Sequence, residues 1–256
     1  MAVSDILAVE RRDFMTNLFK YLFKFKVRGR ARLFKLFGLE GFFFSVRGFD
    51  LFLDPYDYVD AQVCAHGYYE PHVLECIKGV IEKNNIFWDI GGNIGLHSFA
   101  IKHHQPDVEV FCFEPNPLSM KKIMKSRVRN NIPINILSCA LGSALTLCKL
   151  SIKTQGNSGL TSLSPWPDVV YEDDCHVVSM RADHLIKNGF SIPNVVKMDV
   201  EGYELQVLKG FGDYLFDPSL RAIIFEDNDC EEIHAILKDA GFLISNIMGK
   251  DSLAAR

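Results

Sequence analysis

The stretch NIFWDIGGNIGLHSFA, residues 85–100, decides the fold of this chain. An apolar run at 86–90 predicts a β-strand that leads directly into a glycine-rich turn, and a helix is predicted over about 94–104. In doubly wound α/β proteins such a strand–turn–helix unit binds its ligand at the carboxyl end of the strand. We therefore take the turn as the candidate cofactor loop. Its candidate binding residues are Asp89, Gly91, Gly92, Asn93 and Gly95.

The residue in front of the turn indicates which cofactor to expect. A dinucleotide fingerprint needs G-x-G-x-x-G, but Ile90 stands where the first glycine belongs, which argues against a nicotinamide enzyme. Asp89 ends the strand instead. A carboxylate is poorly placed beside a pyrophosphate but well placed to meet the ammonium of a methionine moiety. The loop therefore predicts S-adenosylmethionine as the cofactor.

The next strand carries a second signal for the same cofactor. It is predicted at 108–114 and ends in Glu114, nineteen residues after Gly95. An acid at the end of this strand can accept hydrogen bonds from both ribose hydroxyls. The glycine turn alone is a weak signal, but the turn and the acid together favour a nucleoside site over a plain surface turn.

The rest of the chain alternates between strands and helices. Further strands are predicted at 134–139, 146–152, 175–180, 195–200, 222–227 and 242–247, and further helices at 70–83, 117–130, 203–209, 230–240 and from Asp183. Such alternation implies parallel strands with right-handed helical crossovers, so that helices cover both faces of the sheet. We predict a doubly wound, Rossmann-like α/β domain over 67–256. Residues 1–66 are predicted as an N-terminal helical and hairpin extension, with the hairpin at 42–53 turning near Arg47-Gly48.

Composition narrows the class of protein. The net charge of −4 gives no case for a nucleic-acid partner. None of the seven cysteines falls into a C-x-x-C pair, which suits a reducing compartment. No secretory signal and no 18-residue apolar run is visible in the sequence. We therefore expect a cytoplasmic protein.

The segment from Arg11 to Lys35 has a different character. It holds nine basic residues and one acid among many aromatic and aliphatic side chains. Leu18, Leu22 and Phe25 share a helical face, so the segment is predicted to be amphipathic. One interpretation is a helix packed on the core with its cationic groups in water. The other is peripheral contact with an anionic membrane or with a partner protein.

Three motifs together resemble one known family. They are DIGGNIG at 89–95, FEPNP at 113–117, and VKMDVEG at 196–202, with Glu204 and VLKG at 207–210. This combination, with GYYEP at 67–71, resembles the FkbM family of methyltransferases over about residues 67–228. The resemblance implies a methyltransferase sheet, S-adenosylmethionine, and O-methylation of hydroxyl groups, often on sugars or sugar-bearing natural products. The predicted cofactor-binding set also includes Glu70, Asn116, Ala140 and Leu141.

The sequence also departs from the family pattern. Leu96-His97-Ser98 stands where the family often carries aromatic residues and a threonine, and Met180-Arg181-Ala182-Asp183 replaces a more usual Thr-Leu-Asp-Asp. The methyltransferase sheet normally closes with an antiparallel seventh strand, yet only GKDSLAAR follows Met248. The seventh strand is therefore expected to be short, supplied differently or missing.

Candidate catalytic residues follow from the chemistry of methyl transfer. The enzyme must align the acceptor oxygen and take up its proton, and a positioned base contributes about 10²–10⁴-fold. Asp199, at the end of a buried strand, is the first candidate, and Glu201 is the second. Glu201 has the alternative role of capping the following helix. His97 is a third candidate base, or a residue that merely packs within its helix.

A magnesium site is a further option, although the resemblance does not require one. Asp199 with Asp227 and Asn228, at two strand ends, would offer the hard oxygen ligands that magnesium prefers. Strand ends also carry acids as helix caps, so the favoured expectation is no metal.

Two rival functions stay open at this stage. One is a noncatalytic binding or scaffold protein that keeps the cofactor fold, against which Asp89, Glu114 and Asp199 argue. The other is methylation of nitrogen or of nucleic acid, which often uses an Asn/Asp-Pro-Pro-Tyr/Phe element where this chain has Asp199-Val200-Glu201-Gly202. The favoured partner is a small-molecule or glycan acceptor. The sequence predicts neither the identity of that acceptor nor the oligomeric state.

Overall fold

The computed structural model describes residues 41–256 apart from Pro55 and Gln155. The basic segment at 11–35 lies outside the described residues, so its two interpretations stay predictions. The strands are β1 Phe42–Val46, β2 Phe49–Leu53, β3 Ile86–Ile90, β4 Glu109–Phe113, β5 Asn135–Leu137, β6 Ala140–Leu141, β7 Thr146–Ile152, β8 Asp173–Met180, β9 Val195–Met198, β10 Ala222–Glu226, β11 Leu243–Met248 and β12 Asp251–Ala255. The α-helices are α1 Tyr58–His66, α2 Pro71–Val80, α3 Leu96–His104, α4 Pro117–Asn130, α5 Ala182–Lys187, α6 Glu204–Phe211 and α7 Glu231–Asp239.

The central sheet has seven strands in the order β11-β12-β10-β9-β3-β4-β5. The five strands from β10 to β5 run parallel to one another. The chain moves from β3 outward to β4 and β5, then returns to β9 on the other side of β3. The strand order therefore reverses between β3 and β9, and ligands bind at such a reversal in doubly wound folds. The predicted fold class is confirmed.

The sheet closes with a short seventh strand. β12 spans only Asp251–Ala255, and it pairs antiparallel with both β10 and β11. The sequence left open whether the seventh strand is short, supplied differently or missing, and the structure shows that it is short. The pairing places Glu226 of β10 directly opposite Asp251 of β12, so two acids meet at the carboxyl edge of the sheet.

Side chains of the sheet alternate between two apolar cores, one on each face. On β3, Phe87 packs into the core that contains α2, α3 and α4. Trp88 packs into the opposite core with α5, α6 and α7, where its ring centroid lies 5.0 Å from that of Phe113 and 5.8 Å from that of Phe211. Burial of aromatic side chains of this size contributes about 1.5–3 kcal/mol each. The alternation leaves Asp89, between two apolar neighbours, buried on the α3 side of the sheet.

The predicted hairpin of β1 and β2 is confirmed, with its turn at Arg47-Gly48. Its second strand docks on α4 through side chains of the helix. Asn130 Oδ1 accepts from the N–H of Asp50 at 2.6 Å, and Ser126 Oγ accepts from the N–H of Phe52 at 2.9 Å. These contacts satisfy backbone donors that an edge strand would otherwise leave unpaired. Residues 42–66 thus share one core with the sheet, and the division at residue 66 stays a prediction.

Two predicted strands lie outside the central sheet. β7 and β8 pair antiparallel with each other and, with β6, form a separate three-stranded sheet. The alternation of elements suggested helical crossovers throughout, but β7 and β8 are joined by the loop that follows residue 152. This loop includes the short 3₁₀ turn Ser158–Leu160, which reaches the carboxyl edge of the central sheet.

Helix α1 is an element that the sequence patterns did not predict. Asp57 caps its start by accepting from the N–H groups of Val59 and Asp60, and Gly67 ends it in the left-handed conformation. Both capping signals are present in the sequence, but the apolar residues do not form a one-sided stripe. No helix within the described ranges combines the length and the apolar character needed to cross a membrane.

A buried ion pair attaches α1 to α4. The Lys122 ammonium lies 2.7 Å from Asp60 Oδ2, and the Asp60 side chain has no exposed surface. Burial raises the pKa of Asp60, although Lys122 acts in the opposite direction. The ion pair with Lys122 therefore stabilises the charged carboxylate of Asp60, which would be unfavourable in the core without a cation.

Replacement of this cation should destabilise the fold. Lys122→Met is expected to lower the free energy of unfolding by about 3–5 kcal/mol at pH 8, because it leaves the Asp60 carboxylate buried without a cation and with the N–H of Asp54 as its hydrogen-bond donor. The loss should shrink at pH 5, where Asp60 takes up a proton. Urea unfolding at both pH values measures it. The exposed neighbour provides the control, since Lys121→Met should change stability by less than about 0.5 kcal/mol. Equal effects of the two substitutions would contradict this role.

Candidate functional site

A cavity of about 290 Å³ lies at the carboxyl edge of the sheet, at the reversal of strand order. Its walls come from the ends of β3, β4, β9 and β10, the segment before α2, and the loop at 157–163. Nine of the residues predicted for the site line it, namely Glu70, Gly91, Asn93, Glu114, Asn116, Ala140, Leu141, Asp199 and Glu201. Asp89, Gly92, Gly95 and His97 lie behind this wall. The individual roles of all these residues stay predictions.

The glycines of the loop serve close packing of the backbone. Gly91 has φ +77°, and a Cβ built on it would lie 1.9 Å from the carbonyl oxygen of Asp199. A Cβ on Gly92 would lie 2.3 Å from Sγ of Cys112. Side chains at these positions would push the loop away from β9 and β4. The glycines therefore bring the end of β3 against the end of β9, and the cavity opens above that junction.

A buried lysine that sequence reasoning missed lies at the centre of this junction. The Lys197 ammonium donates to Asp199 Oδ2 at 3.1 Å and to the carbonyl oxygen of Gly91 at 3.3 Å, and it lies 3.8 Å from Asp89 Oδ1. Burial alone would lower the pKa of this ammonium. The carboxylates of Asp199, Asp89 and Glu70 outweigh burial and raise it. Lys197 therefore stays charged and links the ends of strands β3 and β9.

Asp89 supports the loop from beneath and does not reach the cavity. Its Oδ2 accepts from the N–H of Ser98 at 3.1 Å and from the Ser98 hydroxyl at 2.6 Å, so it binds the first turn of α3. Its Oδ1 is buried without a hydrogen bond and faces Lys197. The predicted contact with a cofactor ammonium is not visible in this placement. The observed contacts are those of a residue that fixes the helix and the lysine.

Glu114 lies in the cavity wall at the end of β4. Its two carboxyl oxygens accept from the N–H of Asn93 and from the N–H of Asn116, both at 2.7 Å. Burial raises the pKa of Glu114 to about 7, against the lowering effect of these two N–H groups. Each oxygen keeps a second lone pair, and a carboxylate accepts two hydroxyl donors side by side. This geometry suits a vicinal diol.

Glu201 has two unusual properties. Its backbone is left-handed, with φ +52°, a conformation that costs energy in a residue other than glycine. Burial raises the pKa of its carboxyl to about 8, with further contributions from Asp199 and Glu226 and with Trp166 acting in the opposite direction. Glu201 does not cap the following helix. This helix has Tyr203 at its N-cap and no side-chain capping hydrogen bond, and the carboxyl of Glu204 instead accepts from the N–H groups of Val200 and Gly202 in the turn before the helix.

Glu70 and His97 form a contact across the back of the cavity. Glu70 Oε2 lies 3.7 Å from His97 Nε2, and Nδ1 of the same ring lies 3.3 Å from the Tyr68 hydroxyl. Glu70 lines the cavity, whereas His97 is only 6% exposed and lies behind it. A base must reach the proton it abstracts. His97 does not line the cavity, and its role as a base stays a prediction.

The far end of the cavity carries groups that no sequence motif singled out. Glu226 and Asp251 face each other across β10 and β12, and Lys250 lies 3.6 Å from Glu226. His72 Nε2 lies 2.5 Å from Asp251 Oδ2. Burial raises the pKa of both acids, and the negative charge of Asp199 adds to the effect. This half of the cavity is acidic, with Lys250 as the cation in its wall.

The loop at 157–163 covers the cavity from the side of α1. Asp57 Oδ2 accepts from the N–H of Ser158 at 2.7 Å, and the Ser162 hydroxyl donates to the carbonyl oxygen of Glu201 at 2.7 Å. Asn116 Nδ2 donates weakly to the Thr161 hydroxyl at 3.4 Å. The Ser158 hydroxyl is buried in this wall without a hydrogen-bond partner among the described residues. These hydrogen bonds hold the loop between α1 and the turn after β9.

The structure does not bring the candidate magnesium ligands together. Asp227 Oδ2 lies 2.8 Å from His234 Nε2, and Asn228 Oδ1 accepts from Lys250 at 2.8 Å. Neither residue lines the cavity with Asp199. Within the described part of the chain, no group of three or more His, Cys, Asp or Glu side chains is placed to hold a metal ion.

Comparison with known proteins assigns the family. The model of the FkbM methyltransferase domain matches residues 89–244, which include the cofactor loop and the ends of β4, β9 and β10. Hexuronic acid methyltransferase AglP of Haloferax volcanii is 30% identical over 182 residues, which cover 67% of this chain and 69% of that protein. The 31-O-demethyl-FK506 methyltransferase FkbM of Streptomyces tacrolimicus is 24% identical, covering 64% of this chain and 75% of that protein.

A solved methyltransferase structure shows a distant likeness to this chain. Precorrin-6y C5,15-methyltransferase of Geobacter metallireducens superposes with a TM-score of 0.45 at 12% identity, covering 74% of this chain and 89% of that one. The assignment therefore depends on the sequence matches. Since the family domain spans more than half of the chain and contains the cavity-forming strand ends, this protein belongs to the FkbM family of methyltransferases.

Proposed function

We propose that this protein is an S-adenosylmethionine-dependent O-methyltransferase that modifies a hydroxyl group of a sugar or of a glycosylated natural product. The observation that carries the proposal is the cavity at the strand reversal of an FkbM methyltransferase domain, with Glu114 in one wall and Asp199 and Glu201 in the other. In this proposal the wall with Glu114 supplies a nucleoside site, and the wall with Asp199 and Glu201 supplies carboxyl groups beside the reacting atoms. Purified protein should bind S-adenosylmethionine and ignore NAD.

The residues of the cavity fit S-adenosylmethionine. Glu114 offers the paired oxygens that a ribose diol requires. Phe113, Ala140 and Leu141 supply an apolar wall beside it, which suits an adenine ring. Glu70, which reaches the cavity, replaces Asp89 in our assignment as the carboxylate that meets the ammonium group.

The cofactor supplies an electrophilic methyl group on a sulfonium centre. The chain must then hold the acceptor hydroxyl in line and receive its proton. Asp199 is held in an ion pair with Lys197, which suits it to orient the acceptor. Glu201, with its pKa near 8, is the better proton acceptor at neutral to alkaline pH. We therefore assign the base to Glu201 and orientation to Asp199, the reverse of the order expected from sequence.

The acidic half of the cavity indicates how the acceptor is recognised. Glu226 and Asp251 belong to β10 and β12, which lie on one side of β9 in the strand order, whereas Glu114 follows β4 on the other side. Carboxyl groups accept hydrogen bonds from neighbouring sugar hydroxyls, as Glu114 would from ribose. The names of the two relatives refer to a hexuronic acid and to 31-O-demethyl-FK506. Our proposal keeps the hydroxyl acceptor and favours one without a carboxylate of its own.

Other expectations remain proposals alongside this one. We retain residues 67–256 as the catalytic domain, residues 1–66 as an extension, a cytoplasmic location, and peripheral membrane contact through 11–35. A noncatalytic scaffold is the alternative, and cofactor binding without turnover across a broad acceptor panel would favour it. Magnesium is not part of the proposed mechanism, because the candidate ligands point to other partners.

The cofactor assignment predicts a loss of affinity on removal of one acid. Glu114→Ala should weaken binding of S-adenosylhomocysteine by about 1–3 kcal/mol, because charge-assisted hydrogen bonds are lost. Isothermal titration calorimetry measures the change. Glu109→Ala, at the exposed start of the same strand, is the matched control and should bind normally. Wild-type affinity in a folded Glu114→Ala protein would remove Glu114 from the site.

The base assignment predicts a pH profile. Since a base acts in its unprotonated form, kcat/KM should rise with pH through an apparent pKa near 8. Glu201→Gln should abolish this rise and lose about 10²–10⁴-fold in rate. Asp199→Asn should lose rate but keep the rise, shifted to lower pH because the charge of Asp199 no longer raises the pKa of Glu201. The reverse result, a rise that survives in Glu201→Gln and vanishes in Asp199→Asn, would return the base to Asp199.

The acidic wall predicts discrimination by acceptor charge. A neutral hexoside should be methylated with a kcat/KM about tenfold above that of the matched hexuronide, since a unit charge about 10 Å away is worth about 1–2 kcal/mol. Glu226→Gln should reduce the difference in kcat/KM between the hexoside and the hexuronide. Glu231→Gln, at the exposed start of α7, should leave that difference unchanged. Faster transfer to the hexuronide in the wild type would contradict this preference.

A further inference from the structure

Glu70 is held in a conformation that its own helix does not explain. It occupies the N-cap position of α2 with φ +51° and ψ +58°, immediately before Pro71. The left-handed region is costly for a residue with a long side chain, by about 1–3 kcal/mol. The Glu70 side chain also makes no capping hydrogen bond to the helix. It reaches the cavity instead, so the strain serves the position of the carboxylate.

Three cations or hydrogen-bond donors surround that carboxylate. Burial alone would raise the pKa of Glu70, but His97, Lys197 and Tyr69 outweigh burial and lower it. Of these, His97 has the largest effect on the pKa, and its Nε2 lies 3.7 Å from Glu70 Oε2. The His97 ring is almost fully buried, so it has little room to rotate.

The orientation of the His97 ring is fixed by Tyr68. The Tyr68 hydroxyl lies 3.3 Å from Nδ1, and the two rings meet edge to face with centroids 5.8 Å apart. Burial raises the pKa of Tyr68, so the hydroxyl keeps its proton. When that hydroxyl donates to Nδ1, the neutral imidazole carries its proton on Nε2, on the side of Glu70. The Arg47 guanidinium stacks over the other side of this assembly, 5.0 Å from the centre of the Tyr68 ring.

We propose that His97 is a positioning residue for the methyl donor: it holds the Glu70 carboxylate in place to receive the ammonium group of S-adenosylmethionine. The proposal rests on the proposed function, because it requires that cofactor in the cavity. It replaces the catalytic base expected at His97 from the sequence. It also gives a role to a position where this chain departs from the aromatic residue that its family often carries.

Two ligands that differ in one part separate this role from a structural one. S-adenosylhomocysteine carries the ammonium group, whereas 5′-methylthioadenosine keeps the nucleoside and lacks the amino-acid portion. His97→Leu should weaken binding of the first by about tenfold and leave binding of the second unchanged. His97→Gln, which retains a donor near the position of Nε2, should restore most of the affinity. Titration calorimetry measures both ligands, and thermal unfolding checks that each variant is folded.

Glu70→Gln completes the experiment as a double-mutant cycle. Alone it should reproduce the selective loss for S-adenosylhomocysteine, and His97→Leu should then add little further loss. Equal weakening of both ligands by His97→Leu would show that His97 only maintains the fold. A normal His97→Leu protein beside a weakened Glu70→Gln protein would overturn the role of His97 and leave Glu70 in the site. If Glu70→Gln is also normal, the assignment of Glu70 fails together with this proposal. If the wild type binds neither ligand, the proposed function fails.

Discussion

A single buried ammonium, that of Lys197, is the constraint on which the site depends. A charge at this depth must be paired, and the available partners belong to different parts of the chain. Asp199 directly follows β9, the strand that carries Lys197. Asp89 comes from β3, and the carbonyl of Gly91 comes from the loop after β3. Pairing one cation with all of them fixes the ends of two strands that are more than a hundred residues apart. The cavity lies above this junction because the junction itself is filled.

Three residues with strained backbone contribute to the same cavity. Glu70, Asn93 and Glu201 are non-glycine residues with φ near +50°, and all three line the cavity. Asparagine tolerates this region through local hydrogen bonding, but glutamate does so only when its surroundings impose it. Around Glu201 the surroundings are visible, since Glu204 binds the N–H of Gly202 and Ser162 binds the carbonyl of Glu201. Stability is therefore given up where two carboxyl groups must project from short turns into one space.

The fold, the glycine turn and the acid at the end of β4 could be predicted from the sequence because each depends on a local pattern of residues. The apolar run before the glycine turn and the acid at the end of the next strand need no tertiary information, and Glu114 and Asn93 indeed meet through a hydrogen bond. The rest of the site is assembled from parts that are distant along the chain. Asp251 reaches the cavity only because β12 returns antiparallel beside β10, and the sequence left the existence of that strand open. His97 shows a finer difficulty, since a helix residue one turn past the loop can face the cavity or the core, and only packing against Tyr68 decides it.

The distribution of charge connects these features to turnover. The described wall of the cavity contains Glu70, Glu114, Asp199, Glu201, Glu226 and Asp251 against one cavity-lining lysine, Lys250. Such an excess of acids is costly by itself, and it explains why burial and mutual repulsion raise the pKa of Glu201 to about 8. In the proposed reaction, a sulfonium donor would bring a positive charge into this environment, and transfer of its methyl group would remove that charge. On this proposal the same wall attracts the donor more strongly than the thioether product, so the electrostatics that bind the donor also favour release of the product.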